Sequence, residues 1–338
     1  MSNWIKCFPH PIATAAVQAL PVPGYWQQKA DYVIDVELND ENQSLTGSET
    51  ITYFNNAPED LKYIWLQLDQ NINADGSMTK KTSRGTIRDS IPAKTLATTV
   101  GSFDYKGGYT IKYVKDVADK DLPYIINNTM MRIDLPQPLK KGEKFSFKIS
   151  WSYNINDMMM ISGRSGMEFF PEDGNYIYFI AQWFPRMCVF DDLQGWQNKQ
   201  FLGAGEFALT FGNYRVKITV PSDHIVGASG WLQNPKDVLS QTQIDRFEKA
   251  RKTFDQPVFV VTEDEAKKKE KERSKKKKHL GILCRECPRL RLFIFTEVYL
   301  GCNGCKERDE YAACTITLSQ RRLYALVKRI NKGDQKLP

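Results

Sequence analysis

The sequence predicts an all-β protein made of several sheets. Apolar residues recur with period two through most of the first 265 positions. Val, Ile, Thr, Tyr, Phe and Trp crowd those runs, and clusters of Asn, Asp, Gly and Pro separate them at short intervals. The composition is that of a folded globular chain, with 41% hydrophobic and 26% charged residues, which excludes general disorder and collagen-like repeats.

From Asp31 onward, Tyr32, Ile34, Val36 and Leu38 alternate with Val33, Asp35 and Glu37, the pattern of a strand with one buried face. Asn39-Asp40-Glu41-Asn42 is a turn cluster, and residues 45–54 return with Thr, Ile and Tyr, so a hairpin is expected. Asn55-Asn56-Ala57-Pro58 ends it. Residues 61–68 form the next strand, followed by 109–115 and 130–135, the last stopped by Pro136-Gln137-Pro138. Lys140-Lys141-Gly142-Glu143 turns the chain into a strand over 145–153. Residues 176–183 are almost continuously apolar, as in a strand covered on both faces. Residues 214–220 alternate and stop at Pro221. One helix is expected over 235–253, with Leu239, Ile244 and Phe247 on one side.

Charge is unevenly spread. Of the net +7, residues 1–266 contribute −5, residues 267–278 contribute +7 and residues 279–338 contribute +5. The body is therefore mildly acidic, and neither nucleic acid nor a membrane surface is expected as its partner. Cysteine breaks at the same place. Cys7 and Cys188 are the only two before residue 279, whereas Cys284, Cys287, Cys302, Cys305 and Cys314 follow it. The longest apolar stretches are too short to span a bilayer. Residues 1–24 read as a flexible leader, because Pro9, Pro11 and Gln18 interrupt what a signal peptide would keep apolar. Localisation stays open on these grounds.

The body offers no catalytic constellation. Its histidines, His10, His224 and His279, are scattered, and no H-E-x-x-H is present. Gly203-Ala204-Gly205 lacks the third glycine of a phosphate-cradling loop. Asp191-Asp192 is expected to be a solvated turn, and Met158-Met159-Met160 to pack in a sheet or core.

Four segments are more specific: YWQQKADYVIDVELNDENQSLTGSETITYFNN, IWLQLDQN, AQWFPRMCVFDDLQGWQNKQFLGAGEFALTFGNYRVKITVP and HIVGASGWLQNP. Through them residues 25–265 resemble the N-terminal domain of bacterial zinc metallopeptidases of the aminopeptidase N family, most nearly the Bacteroidetes-type branch. The resemblance implies a saddle-like, all-β domain that covers a separate catalytic domain. That second domain carries H-E-x-x-H, a distant glutamate ligand, a G-x-M-E-N loop and a tyrosine. None of these motifs is found here; Gly166-Met167-Glu168-Phe169 lacks the spacer residue and the asparagine of the loop and is read as a coincidence. The resemblance thus implies no catalytic residue, no metal ligand and no cofactor in this chain, with zinc in the parent's catalytic domain, a peptide N-terminus as the complete parent's partner, and an exported parent.

One site residue is carried over. The family places the glutamine of a Thr-Gln pair near the substrate's free amino group, and the matching pair here is Ala181-Gln182, followed by Trp183-Phe184-Pro185-Arg186. An amide oxygen is a suitable acceptor for an ammonium group. Read structurally, Gln182 is equally a polar residue at a strand end.

The tail allows two readings. Cys284, Cys287, Cys302 and Cys305 make C-x2-C-x14-C-x2-C, the spacing of a zinc ribbon, and the lysine run before it would suit nucleic acid. This gives the alternative of a β-domain binding protein with a zinc-ribbon tail. Against it, the family resemblance stops inside the lysine run. Codons permitted for residues 279–305 include a set that, read from the second base, gives TWEFYAENVRDFAFSSSRKFIWDAMG. That peptide resembles the next stretch of the same family domain, including its N-V-R-D-F-A strand. The expected organisation is therefore a leader at 1–24, an aminopeptidase N-like β domain at 25–265, a lysine-rich loop or linker at 266–278, and a frameshifted, disordered tail at 279–338. The chain is expected to be a non-catalytic front portion of the parent, short of its last β strands, with the edges they cover left open.

Overall fold

The alternation around Asp31 becomes the central strand of the molecule. In the computed structural model, which describes residues 25–82, 90, 105–158, 161, 165–171, 174–203, 207–253, 258–270, 274–287, 292–295, 301–302, 306–307 and 310–311, strand β1 (Lys29–Asn39) buries Ala30, Tyr32, Ile34, Val36 and Leu38. Asn39 Oδ1 accepts from the backbone N–H groups of Glu41 and Asn42, closing the turn that the Asn-Asp cluster predicts. Strand β2 (Ser44–Phe54) then pairs with β1 in one unbroken antiparallel register, from Lys29 opposite Phe54 to Asn39 opposite Ser44.

The remaining strands are β3 (Leu61–Gln67), β4 (Thr110–Asp116), β5 (Tyr124–Asn127), β6 (Met130–Leu139), β7 (Lys144–Asn154), β8 (Gly166–Phe170) and β9 (Asn175–Ile180). After them come β10 (Arg186–Met187), β11 (Phe190–Asp191), β12 (Gly195–Trp196), β13 (Gly212–Pro221), β14 (Ile225–Ala228), β15 (Trp231–Leu232), β16 (Val258–Phe259), β17 (Lys277–Cys287) and β18 (Leu292–Phe295). Three sheets dominate: a seven-stranded sheet ordered β15-β17-β13-β1-β2-β7-β4, and two four-stranded sheets ordered β10-β3-β6-β5 and β14-β18-β9-β8. The fold is all-β and multi-sheet, as the period-two pattern predicts. Within the seven-stranded sheet β1 and β13 are parallel, Tyr32 opposite Tyr214 through Glu37 opposite Thr219.

The inner face of the large sheet and the β3–β6 pair share one core, in which Tyr32, Ile51, Phe147, Trp151 and Tyr214 meet Ile64, Leu66, Met131 and Ile133. Fully burying a side chain of this kind is worth about 1.5–3 kcal/mol. Trp151 stands directly opposite Gly47, and a Cβ at Gly47 would lie 2.4 Å from its ring. Only glycine leaves the indole its place. A second, smaller cluster gathers Ile225, Ala250, Val260, Val261 and Ala266 with Phe247.

Several expectations need correcting. Pro136 and Pro138 do not end β6. The β3–β6 register jumps from Tyr63 opposite Asp134 to Leu61 opposite Leu139, so a bulge absorbs the prolines, which have no N–H to give a ladder. The helix over 235–253 is two helices, Pro235–Val238 and Gln241–Arg251. Leu239 is extended, and Ser240 restarts the helix as an N-cap in a capping box with Gln243. Strand β9 stops at Ile180, because the chain turns at Gln182 with φ 53°. The lysine-rich segment is partly helical, over Glu263–Glu270, and Ala266 reaches the small core.

The tail differs most. Strand β17 pairs with β13 from Pro221 opposite Lys277 to Gly212 opposite Cys287, and β18 lies between β9 and β14. Leu280, Ile282, Cys284, Leu292 and Ile294 are buried. The expectation of an unpacked tail and open edges is therefore corrected for residues 279–287 and 292–295. Leu280, Ile282 and Cys284 repeat with period two, which is all that a strand with one buried face requires. The leader, His10, Cys7, Met159, Met160, Ala204, Gly205, Cys305 and Cys314 lie outside the described residues. Among the described residues no helix is long and apolar enough to cross a membrane.

Candidate functional site

Strand β9 delivers the chain to Gln182. There the backbone turns through the left-handed region and enters a buried run, Trp183 to Cys188, that crosses to β10 beside β3. Aromatic packing fixes this run. Trp183 lies 6.1 Å from Trp151, and Phe184 meets Tyr32 at 5.5 Å and Tyr214 at 5.9 Å in edge-to-face contacts. Met187 N donates to Tyr32 OH at 3.0 Å.

Gln182 itself is half-buried, and its side-chain amide has no hydrogen-bond partner among the described residues. Its backbone is held instead. The Gln182 carbonyl accepts from Gln70 Nε2 at 3.1 Å and from Tyr109 OH at 3.3 Å, while Ala181 N donates to Ser165 Oγ at 3.1 Å. A rigid backbone therefore presents an unused carboxamide, able to accept from an ammonium and to donate to a carbonyl.

Beneath the turn Arg186 is clamped on Asp69, Nε to Oδ2 at 2.8 Å and Nη2 to Oδ1 at 3.4 Å, with both side chains buried. Burial alone would lower the Arg186 pKa, but the charge and hydrogen bonds of Asp69 outweigh it and leave the guanidinium above its ordinary value. The neighbouring Cys188 thiol is pushed up to about 12, chiefly by burial, with Arg186 opposing and Asp69 adding. A thiol held so firmly protonated is not a nucleophile. Glu49, on the core face of β2, is also raised well above the carboxylate range by burial. Among the described residues around the turn, Cys188 and Glu49 are thus both held protonated by burial.

The other candidates do not join it. Asp191 is a turn residue, accepting from the backbone N–H groups of Leu193 and Gln194 and from the Gln197 side chain, and Asp192 beside it is exposed. His224 is buried against Asp223 at 2.9 Å, and His279 bonds Thr219 at 2.9 Å in another part of the fold. Gly166 to Phe169 lie within β8 and pair with β9. Cys284 and Cys287 are joined in a disulfide, so two of the four ribbon thiols are not free thiolates, while Cys302 sits in a short strand beside Val258. Among the described residues no three His, Cys, Asp or Glu side chains gather to hold a metal ion. Among the described residues no ligand set therefore fits a zinc ion; the resemblance places zinc in the parent's catalytic domain.

Sequence reasoning singled out Gln182 but not the residues that hold its turn, Gln70 and Tyr109, nor Asp69 on Arg186. All three stand more than 70 positions from their partners, and no local pattern marks such contacts. The one available signal was the segment IWLQLDQN, which contains Asp69 and Gln70.

No family model matches the sequence, and no curated protein matches it. Solved structures do. The chain is similar to an M1 zinc metallopeptidase from Deinococcus radiodurans at 14% identity and a TM-score of 0.40, over 80% of this chain and 43% of that one. A mutant of an M1 zinc metallopeptidase from the same organism, bound to a Tyr-Ser-Ala substrate, gives 13% identity and a TM-score of 0.43, over 85% and 46%. A mutant two-domain M1 zinc metallopeptidase bound to L-tryptophan gives 13% and 0.42, over 86% and 47%. The chain spans less than half the length of these structures.

Proposed function

We propose that this chain is the non-catalytic N-terminal β portion of an aminopeptidase-type zinc metallopeptidase of the Bacteroidetes-type branch. Its complete form removes residues from peptide N-termini through a zinc-activated water. The four long matching segments support this reading. So does the observation that carries the site: Gln182 leaves the sheet at a left-handed turn with its carboxamide unengaged among the described residues. In the complete enzyme Gln182 accepts from the substrate's ammonium group. No hydrolytic step is assigned to this chain, whose sequence has no H-E-x-x-H.

From about residue 279 the chain is read one base out of frame. The shifted reading puts tryptophan, phenylalanine and alanine at the positions of Leu280, Ile282 and Cys284, the inward positions of β17. Both readings keep the alternation for a simple reason. Leu and Ile codons carry T in the middle, so at 280 and 282 the codon read from the second base starts with T, a set rich in aromatic residues, while the G of the Cys284 codon gives alanine.

Two experiments test the proposal. The side-chain amide resonances of Gln182 should shift when the chain is titrated with a tripeptide bearing a free N-terminus, and not with its N-acetylated form; equal responses overturn the role of Gln182. The purified chain with added zinc should not hydrolyse an amino acid anilide, and the gene should recover the N-V-R-D-F-A run after a one-base shift near codon 279. Zinc-dependent hydrolysis, or a gene with no such shift, overturns the fragment reading.

A further inference from the structure

The turn that carries Gln182 is held by a side chain from far earlier in the sequence. Gln70 lies in the 3₁₀ turn Asp69–Asn73, directly after β3, and is only 5% exposed. Its Nε2 donates to Ala181 O and to Gln182 O, each at 3.1 Å. Carbonyl oxygens only accept, so the orientation of the Gln70 amide is fixed by its partners and both its N–H groups face the turn.

Its chain neighbours grip the same region. Asp69 holds Arg186, four residues beyond Gln182. Asn71 donates to Asn128 O at 2.8 Å and accepts from Tyr109 N at 2.7 Å, which places the Tyr109 hydroxyl on the Gln182 carbonyl. Gln182 needs this hold. Its φ of 53° is a conformation that a residue with a Cβ adopts at a cost, and glycine without one.

We propose that Gln70 is the positioning residue of this site: its amide pins the carbonyls of Ala181 and Gln182 and so keeps Gln182 left-handed with its carboxamide available to a ligand. The functional meaning of this assignment rests on the reading of Gln182 as acceptor of a peptide's amino terminus; the geometric part does not.

A thermodynamic cycle in the full chain tests it. Gln182→Gly should raise the folding equilibrium constant about fivefold in the parent, because glycine meets the left-handed turn without strain. In the Gln70→Ala background the gain should fall to less than twofold, since the released turn no longer requires that φ. Gln70→Glu keeps the size but not the donors and should behave like Gln70→Ala, which covers the case in which the alanine variant fails to fold. The one-bond Cα–Hα coupling of Gln182, which separates positive from negative φ, should lose its left-handed value in both variants. A mere loss of stability would not move it.

An equal gain in both backgrounds, or a retained left-handed coupling, overturns the assignment. The tripeptide titration separates the two ideas. If free and acetylated peptides act alike on the parent, the reading of Gln182 falls while the cycle still decides Gln70. If they differ and Gln70→Glu binds the free peptide as the parent does, the positioning role falls alone; a loss of at least fivefold in affinity supports it.

Discussion

Glu49 occupies the middle of β2 on the face its neighbours use for apolar packing, opposite Ile34 in one strand and Ile149 in the other. It is 2% exposed, and neither carboxyl oxygen has a hydrogen-bond partner among the described residues. Burial raises its pKa well above the usual value, and the neighbouring Trp151 indole offsets only part of that. The folded chain therefore keeps a proton that the unfolded chain releases near the ordinary glutamate value of about 4.3. The stability this group contributes is present below that value and falls as pH rises toward the folded-state value, by about 1.4 kcal/mol per pH unit. Glu49→Gln removes the titration. Relative to the parent it should gain stability from pH 4 to pH 8 in denaturant unfolding; a constant difference between the two proteins at both pH values would refute this. Asp69 is buried as well, but it is paired with Arg186. Asp69→Asn leaves Arg186 buried without its counter-charge and should cost about 3–5 kcal/mol in the same measurement. None of these residues announces its role in the sequence. Glu49 reads as one more polar residue in an alternating strand, and only the pairing of β2 with both neighbours shows that it faces inward.

At the scale of elements, legibility followed the range of the forces involved. The β1–β2 hairpin could be read because its alternation, its Asn-Asp turn and its register are local. Strand β6 could not, because the bulge that accommodates Pro136 and Pro138 depends on β3, some seventy residues earlier. The break between the two helices is written in Ser240 and Gln243, a capping pair whose local signal competes with the longer apolar spacing of Leu239, Ile244 and Phe247. Strand β18 is the sharpest case. A short apolar run that resembles an accident lies with Leu292 and Ile294 fully buried between β9 and β14. Ile294→Ala should therefore cost about 2–5 kcal/mol in denaturant unfolding, whereas the exposed Arg285→Ala should change little. A neutral Ile294→Ala would show that this strand does not pack.

For the whole molecule, the all-β class was legible and the order of strands was not, because order is set by contacts between distant segments. Removal of residues 277–338 tests how the sheets depend on their last strands. That deletion bares the outer edge of β13 and the facing edges of β9 and β14, rows of unpaired backbone donors and acceptors open to another chain. The shortened protein should leave a size-exclusion column as multimers or aggregate, whereas the intact chain stays single at the same concentration. A monomeric product with an unchanged melting temperature would mean that β17 and β18 are dispensable.

The parallel pairing of β1 with β13 also bears on synthesis. Tyr32 must meet Tyr214, although the hairpin partner of Tyr32, Ile51, is only nineteen residues away. A growing chain can close the β1–β2 hairpin and then add β4 and β7, which pair with each other and, through β7, with β2, before β13 leaves the ribosome. Throughout that interval the far side of β1 stands open, bounded by the exposed Val33. The seam of the large sheet closes late, and the last strand to seal it, β17, is drawn from the stretch where the reading frame is proposed to change.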